Sequence, residues 1–188
     1  IFEPLKWLLI KSENFLTDTS WIIILVLIAS IAWLGSKSIK IVIGSVLTLL
    51  LIGYLGMWEN TMKTISMTFV AAILAISIGI PIGILMARSN IALRIASPIL
   101  DVMQTMPSFV YLIPVVMLLG IGKVPGLLAV IIYAIPPIIR LTNLGIRLVN
   151  NNVMEAGHAY GASYAQRLTK IQIPLALPTI MAGINQTI

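Results

Sequence analysis

The chain has 188 residues, of which 59% are hydrophobic and only 10% are charged, and its mean hydropathy is +1.06. Soluble domains carry roughly 25% charged residues, so this composition excludes an ordinary soluble domain and indicates an integral membrane protein. The net charge of +6 does not indicate a nucleic-acid partner, because in a membrane protein the position of each charge matters more than the sum.

Residues 1–18 carry an amphipathic pattern. One face of the helical wheel collects Leu5, Leu8, Leu9, Ser12, Phe15 and Leu16, and the opposite face collects Lys6, Lys11, Glu13 and Asn14. The pattern predicts an interfacial helix on the extracytoplasmic side and not a signal peptide. The alternative is a disordered tail with an accidental periodicity.

Six charge-free runs follow, and about 18 apolar residues are enough to cross the hydrocarbon as a helix. The runs are residues 19–36, 41–58, 64–87, 102–122, 124–139 and 171–188. Alternation with period two is absent, so the predicted fold class is an all-α, polytopic membrane helical bundle. The interior of every run lacks an ionisable side chain, which argues against a proton or sodium relay.

Glycine and proline are frequent inside the runs and predict kinked, closely packed helices. The fourth span is expected to start with Ser97 as its cap, Pro98 at the first helical position and Asp101 in the first turn. Pro107 and Pro114 are expected to interrupt that span.

The distribution of basic residues predicts the orientation. With the N-terminus outside, eight basic residues lie inside and four outside, which the positive-inside rule favours. The inside set is Lys37, Lys40, Arg88, Arg94, Arg140, Arg147, Arg167 and Lys170, and the outside set is Lys6, Lys11, Lys63 and Lys123. The polar segment 150–173 then faces the cytoplasm.

Catalytic chemistry finds little support in the sequence. His158 is the single histidine, cysteine is absent, and neither an HExxH motif nor a paired-carboxylate pattern occurs. We therefore expect no metal site, no cofactor bound by this chain and no enzymatic activity. A GxxxxGK[ST] phosphate loop is also absent from the sequence, so any ATP hydrolysis is expected on another chain.

The polar stretch 155–178 contains a spaced motif. Its residues are Glu155, Ala156, Gly157, Gly161, Ile171, Ile173 and Pro174. The spacing resembles the EAA motif of permease subunits of ATP-binding-cassette (ABC) importers, which reads EAA, three residues, Gly, nine residues, I-x-L-P. Gly157 replaces the second alanine and Ile173 replaces the usual leucine, so both positions stay small or apolar.

Local physics agrees with this resemblance. Residues 152–161 can form a short helix with Asn152 as its cap and Glu155 in the first turn, and its small residues offer a surface for close docking. Gly161 can end that helix with a left-handed turn. The prolines that follow are expected to restart a helix into the membrane. The alternative is a plain solvated loop.

A wider stretch, residues 103–147, resembles the permeases for glycine betaine, proline betaine, choline or carnitine, and the similarity extends from about Trp58 to the end. It implies a type I ABC importer transmembrane domain (MetI-like) at 58–188, preceded by two membrane helices at 19–57. Residues 150–173 are its coupling segment. The chain starts with Ile and ends inside an apolar run, so we expect a fragment truncated at the C-terminus.

The resemblance also implies partners and site residues. It implies a homodimer of permeases in a bacterial or archaeal cytoplasmic membrane, cytoplasmic ATPase subunits that hold ATP and magnesium, and an extracytoplasmic substrate-binding protein. ATPase coupling is assigned to Glu155, Ala156, Gly157, Gly161, Ile171 and Pro174. Gln104, Phe109 and Tyr111 are candidates for the translocation path, the aromatic rings through cation–π attraction.

Other functions stay open from the sequence. A permease for methionine or another amino acid is the nearest alternative. An ion-coupled secondary transporter or a membrane scaffold without transport would belong to a different class.

Overall fold

The structure is a computed structural model that describes residues 3–188, so the first two residues of the expected amphipathic segment lie outside the described range. Every regular element in this range is helical, which confirms the all-α prediction. The helices are α1 Glu3–Asp18, α2 Trp21–Ser36, α3 Ile39–Tyr54, α4 Trp58–Arg88, α5 Asn90–Thr105, α6 Ser108–Leu119, α7 Lys123–Arg147, α8 Asn151–Ala159, α9 Tyr164–Arg167 and α10 Ile173–Thr187, with a π-helical turn at Leu168–Gln172.

Two of these helices, α4 and α7, are each long and apolar enough to cross a membrane, judged on length and composition over the described residues. Two bent pairs pass the same test when each pair counts as one span: α1 with α2, bent by 100°, and Asn90–Thr105 with Phe109–Leu119, bent by 94°. The chain is therefore a multi-pass membrane protein. The count of six spans stays a prediction, because α2, α3 and α10 are each shorter than the length of about 18 residues that a span needs.

The chain divides into two units, and the first ends at Val70. Within it, α2 and α3 pack on each other after a turn at Lys37, whose φ is 49°. The predicted helix α1 is confirmed, but its inward face is different from the expected one. Leu9 and Glu13 are both buried whereas Phe15 is 72% exposed, because the face that packs is chosen by the neighbouring helices and not by hydrophobicity alone. The extracytoplasmic position of α1 stays a prediction.

The second unit starts at Ala71 and is organised around α7. Helix α10 packs along α7, and their shared core contains Ile138, Ile146, Ala176 and Ile180. Helix α4 approaches α7 through Gly83, where an added methyl group would lie 2.6 Å from Thr142 Cβ and 2.8 Å from the Ile139 carbonyl oxygen. The predicted close packing through glycine is confirmed here.

Helix α5 begins earlier than expected. Its cap is Ser89, whose hydroxyl accepts a hydrogen bond from the Ala92 N–H at 3.2 Å, so the expected start at Ser97 is wrong. Pro98 lies inside the helix on an exposed face, where a proline removes only one hydrogen bond and a continuous helix remains favourable. The chain does break at Pro107, as predicted, whereas Pro114 lies within α6 and does not interrupt it.

Candidate functional site

The end of α7 is fixed to the corner between α4 and α5. Arg147 donates hydrogen bonds from Nη2 to the Met86 carbonyl at 2.9 Å and to Asn90 Oδ1 at 3.0 Å. Its Nε donates to Asn143 Oδ1 at 3.0 Å. The chain therefore leaves α7 from a well-defined position and enters the coupling segment, residues 150–173.

Helix α8 begins with an asparagine cap. The side chain of Asn150 accepts a hydrogen bond from the Asn152 N–H at 2.8 Å, so the expected cap at Asn152 is wrong. Asn150 takes this role because its backbone is extended, with ψ of 128°, as a cap residue requires. Glu155 consequently lies in the second turn and not in the first.

Helix α8 ends as predicted at Gly161, whose φ is +76°. The Gly161 N–H donates to the His158 carbonyl at 2.9 Å, and the Ala162 N–H donates to the Gly157 carbonyl at 3.0 Å. This pair of bonds is a Schellman motif with glycine in the left-handed position. It turns the chain sharply after the helix.

Helix α8 is unusually open to its surroundings. None of its residues is buried, and only Met154 and Gly157 are partly covered. Isolated helices shorter than about 12 residues are marginal in water, so most helices of this length depend on packing against other structure. The nine residues of α8 bury no side chain, so the surface of this helix is open for packing against other structure.

The structure brings two motif residues together. A methyl group on Gly157 would lie 2.6 Å from Ile171 Cδ1 and 3.7 Å from Arg167 Cγ. The glycine that departs from the EAA pattern is therefore the point at which α8 rests on the π turn. Glu155 and Ala156 are exposed beside it.

The second half of the coupling segment starts at Ser163. Its hydroxyl accepts from the Gln166 N–H at 3.3 Å, and Gln166 Oε1 accepts from the Ser163 N–H at 2.8 Å, which forms a capping box. Helix α9, the π turn and α10 then follow without a gap. The predicted restart at Pro174 is confirmed, because α10 begins at Ile173 and Pro174 lies in its first turn, whereas Pro178 lies inside the helix. The wide π turn precedes Pro174 and relieves the clash that its ring would cause in a regular α-helix.

A contact that the sequence did not reveal joins the coupling segment to α4. The Nε of Arg88 donates to the Tyr164 hydroxyl at 2.9 Å, and the guanidinium lies 4.4 Å from the ring centroid. Arg167 approaches the same ring at 5.9 Å. In the sequence, Arg88 stands out only as a basic residue at the end of an apolar run. The one local signal for Tyr164 is its position directly after Ser163, a residue type that can cap a helix.

The structure places the three candidate path residues in different surroundings. The Tyr111 hydroxyl donates to the Met103 carbonyl at 2.6 Å and so ties α6 to α5. Phe109 is 71% exposed. Gln104 lies in a cleft between α5 and α7. Their role in a translocation path stays a prediction.

Arg140, which lines the same cleft, belongs to a charge pair between two helices. Arg140 of α7 and Asp101 of α5 form a salt bridge, and Arg140 lies seven residues before the end of its helix. Both residues bound apolar runs in the sequence, and the helices α5 and α7 continue past them. The cleft also has polar lining, which comprises Ser97, Gln104, Asn143 and Gln186.

Comparison with protein families supports a transport role. Residues 79–188 match the family described as "Binding-protein-dependent transport system inner membrane component". The matched region contains the coupling segment, the charge pair and every residue that lines the cleft.

Individual relatives extend the match to the N-terminal unit. The chain is 45% identical over 185 residues to the glycine betaine/proline betaine transport system permease protein ProW of Escherichia coli, covering 98% of this chain and 52% of that protein. It is 46% identical over 170 residues to the glycine betaine/carnitine transport permease protein GbuB of Listeria monocytogenes, covering 89% and 60%. It is 45% identical over 167 residues to the glycine betaine transport system permease protein OpuAB of Bacillus subtilis, covering 89% and 59%. The chain thus spans little more than half the length of these relatives.

Proposed function

Since this chain belongs to the family of inner membrane components of binding-protein-dependent transport systems, we propose that it is the permease subunit of an ABC importer for glycine betaine, proline betaine or a related quaternary-amine osmolyte. The names of its relatives support this substrate class. The observation that carries the coupling role is structural. A segment with EAA spacing follows directly after α7, forms a short helix that buries none of its residues, and is bonded to α4 through Tyr164.

The proposed assembly contains two copies of the permease, cytoplasmic ATPase subunits that bind ATP and magnesium, and an extracytoplasmic binding protein that delivers the substrate. The N-terminus and α1 lie outside, in agreement with the positive-inside distribution. The ATPase subunits supply the hydrolysis, and this chain supplies the path and the coupling surface. Its coupling residues are Glu155, Ala156, Gly157, Gly161, Ile171 and Pro174.

The mechanism follows from the anchoring of α8. When ATP closes the ATPase subunits, each one displaces the α8 that it holds, and the displacement passes to the membrane helices through two links. One link is the contact of Gly157 with the π turn that leads into α10. The other is the contact of Arg88 with Tyr164, which reaches α4. Movement of these helices alternates the access of the path between the two sides of the membrane.

Reconstitution tests the proposal. The full-length protein, its ATPase and its binding protein are placed in proteoliposomes, and uptake of labelled glycine betaine is measured with ATP inside or outside. We expect uptake that requires ATP on the cytoplasmic side. Glu155→Lys should abolish uptake while the permease remains folded, because the Glu155 side chain is exposed. Glu3→Lys, a charge reversal on the exposed face of α1, is the matched control and should transport normally.

The outcomes separate the competing functions. Uptake that persists without ATP and collapses with an ionophore would indicate an ion-coupled secondary transporter. ATP-driven uptake of methionine, with none of glycine betaine, would indicate an amino-acid permease. Normal uptake by Glu155→Lys would refute the assignment of the coupling segment.

A further inference from the structure

The cleft between α5 and α7 places a charged group within apolar helices. Arg140 lies on α7, whose 25 residues are apolar enough to cross a membrane. Ionisable side chains inside such helices are unfavourable, and those that occur face the protein interior and mark functional sites. Arg140 is paired with Asp101 of α5, so the pair as a whole is neutral.

The salt bridge leaves part of the guanidinium without a partner. Asp101 accepts from Nη2 of Arg140, whereas Nε is buried and has no hydrogen-bond partner among the described residues. A buried N–H without an acceptor is unfavourable, because it has lost its hydration without replacement. An acceptor at this position would therefore be favourable, and the described residues supply none.

Further polar groups surround the same space. The amides of Gln104 and Gln186 and the hydroxyl of Ser97 line the cleft, and within residues 3–188 they make no hydrogen bond. Gln104 comes from α5 and Gln186 from α10, so the groups converge from three helices that are otherwise rich in apolar residues. A brace that only joins α5 to α7 would need the ion pair and none of these amides.

We infer that the α5–α7 cleft, lined by Ser97, Gln104, Arg140 and Gln186, is a binding subsite for the carboxylate of a small zwitterion in transit. A carboxylate is the planar acceptor that complements a guanidinium, and the amides can donate to its second oxygen. The salt bridge of Arg140 with Asp101 keeps the surroundings of the site neutral overall, which suits a ligand with no net charge. The identity of the zwitterion as glycine betaine rests on the proposed function.

A charge exchange distinguishes binding from bracing. The double variant Asp101→Arg with Arg140→Asp keeps an ion pair between α5 and α7 but removes the guanidinium from its place in the cleft. The full-length transporter is reconstituted with its ATPase and binding protein, and two quantities are measured: ATP hydrolysis stimulated by the loaded binding protein, and glycine betaine delivered per ATP hydrolysed. Arg94→Gln, which removes an exposed arginine from α5, is the control.

We expect the exchange to retain stimulated hydrolysis and to lower betaine delivered per ATP by about tenfold, with the control unchanged. Wild-type delivery by the exchange variant would show that the pair is a brace only and would overturn the inference. If the exchange variant fails to assemble, Gln104→Ala tests the inference instead, because it leaves the Asp101–Arg140 ion pair intact. It is expected to lower delivery per ATP several-fold, and an unchanged ratio would overturn the inference. A wild-type protein that delivers no betaine contradicts the proposed function instead.

Discussion

Arg88 donates a 2.9 Å hydrogen bond from its Nε to the hydroxyl of Tyr164, a residue 76 positions later in the chain. Arg88 is the last residue of α4 and Tyr164 is the first residue of α9, so the bond connects the coupling segment to the longest of the described helices. The guanidinium also lies 4.4 Å from the ring centroid, so the contact combines a hydrogen bond with cation–π attraction.

The Arg88–Tyr164 contact predicts a graded loss of coupling. Tyr164→Phe keeps the ring and loses the hydrogen bond, so we expect transport per ATP to fall modestly. Tyr164→Ala removes both interactions, and a fall of tenfold or more is expected while the ATPase remains bound. Tyr54→Ala, which removes a tyrosine that is 88% exposed in α3, is the control. Equal uptake by all variants would show that the contact does not transmit movement.

The left-handed backbone of Gly161 predicts an effect on the end of α8 that can be separated from side-chain contacts with the ATPase. Its φ of +76° lies in the left-handed region, which costs roughly 1–2 kcal/mol for a residue with a Cβ. Gly161→Ala should therefore loosen the end of α8, increase its proteolytic cleavage and weaken binding of the ATPase about tenfold. Gly44→Ala lies inside α3 with open space around it and should be neutral or slightly stabilising. Unchanged proteolysis and unchanged binding in Gly161→Ala would contradict the left-handed turn.

Gly157 predicts a difference between two apolar substitutions. In Gly157→Ala the new methyl group meets the mobile end of the Ile171 side chain, which can rotate away, so near-normal uptake is expected. In Gly157→Val the larger side chain cannot fit between α8 and the π turn, and uptake should fall strongly. The pair Gly157→Ala with Ile171→Val should match the wild type more closely than Gly157→Ala alone, and uptake in proteoliposomes measures all three. Equal activity of the Ala and Val variants would refute the contact.

Gly83 predicts a defect in the membrane fold and not in coupling. A methyl group there would meet Thr142 Cβ at 2.6 Å and a backbone oxygen at 2.8 Å, neither of which can move freely. Overpacking of this kind costs typically about 1–3 kcal/mol, so Gly83→Ala should lower the melting temperature of the purified protein in detergent. Gly35→Ala, with nothing within 4 Å, should melt like the wild type. A normal melting curve for Gly83→Ala would mean that α4 and α7 are farther apart than described.

The absence of cysteine from the sequence makes the orientation directly testable. Single cysteines at Lys11 and at Lys170, both exposed, can be labelled in intact cells with a maleimide that does not cross membranes. We expect labelling of Lys11→Cys in intact cells and of Lys170→Cys only after the cells are opened. The reverse pattern would place the coupling segment outside and contradict the whole functional proposal.

The sequence predicts the helical class, the break at Pro107 and the left-handed glycine at 161, because each depends on local composition or on one residue's backbone preference. The preference of serine and asparagine for the N-cap position did not identify the correct first residues of α5 and α8. Ser89 and Asn150 cap α5 and α8, whereas Ser97 and Asn152 carry the same chemistry and do not. Several residues in a polar stretch can cap a helix equally well, and the tertiary packing decides which one does.

The long-range parts of the site could not be predicted. The contact of Arg88 with Tyr164 and the pair of Asp101 with Arg140 join residues that are distant in sequence, and no periodicity connects them. The charges were visible only as ends of apolar runs. The helix itself does not end at this charge, because α7 continues past Arg140 for seven residues, to Arg147.

The π turn at Leu168–Gln172 has a geometric consequence for the whole coupling segment. Each residue of an α-helix advances the chain by about 100° around the helix axis, and a π turn holds one residue more than an α turn. Deleting one residue from this turn would restore a regular helix and rotate α8 and α9 by roughly 100° around the axis of α10. The direction in which the coupling surface points is therefore set by the number of residues in the turn, and side-chain chemistry alone does not determine it.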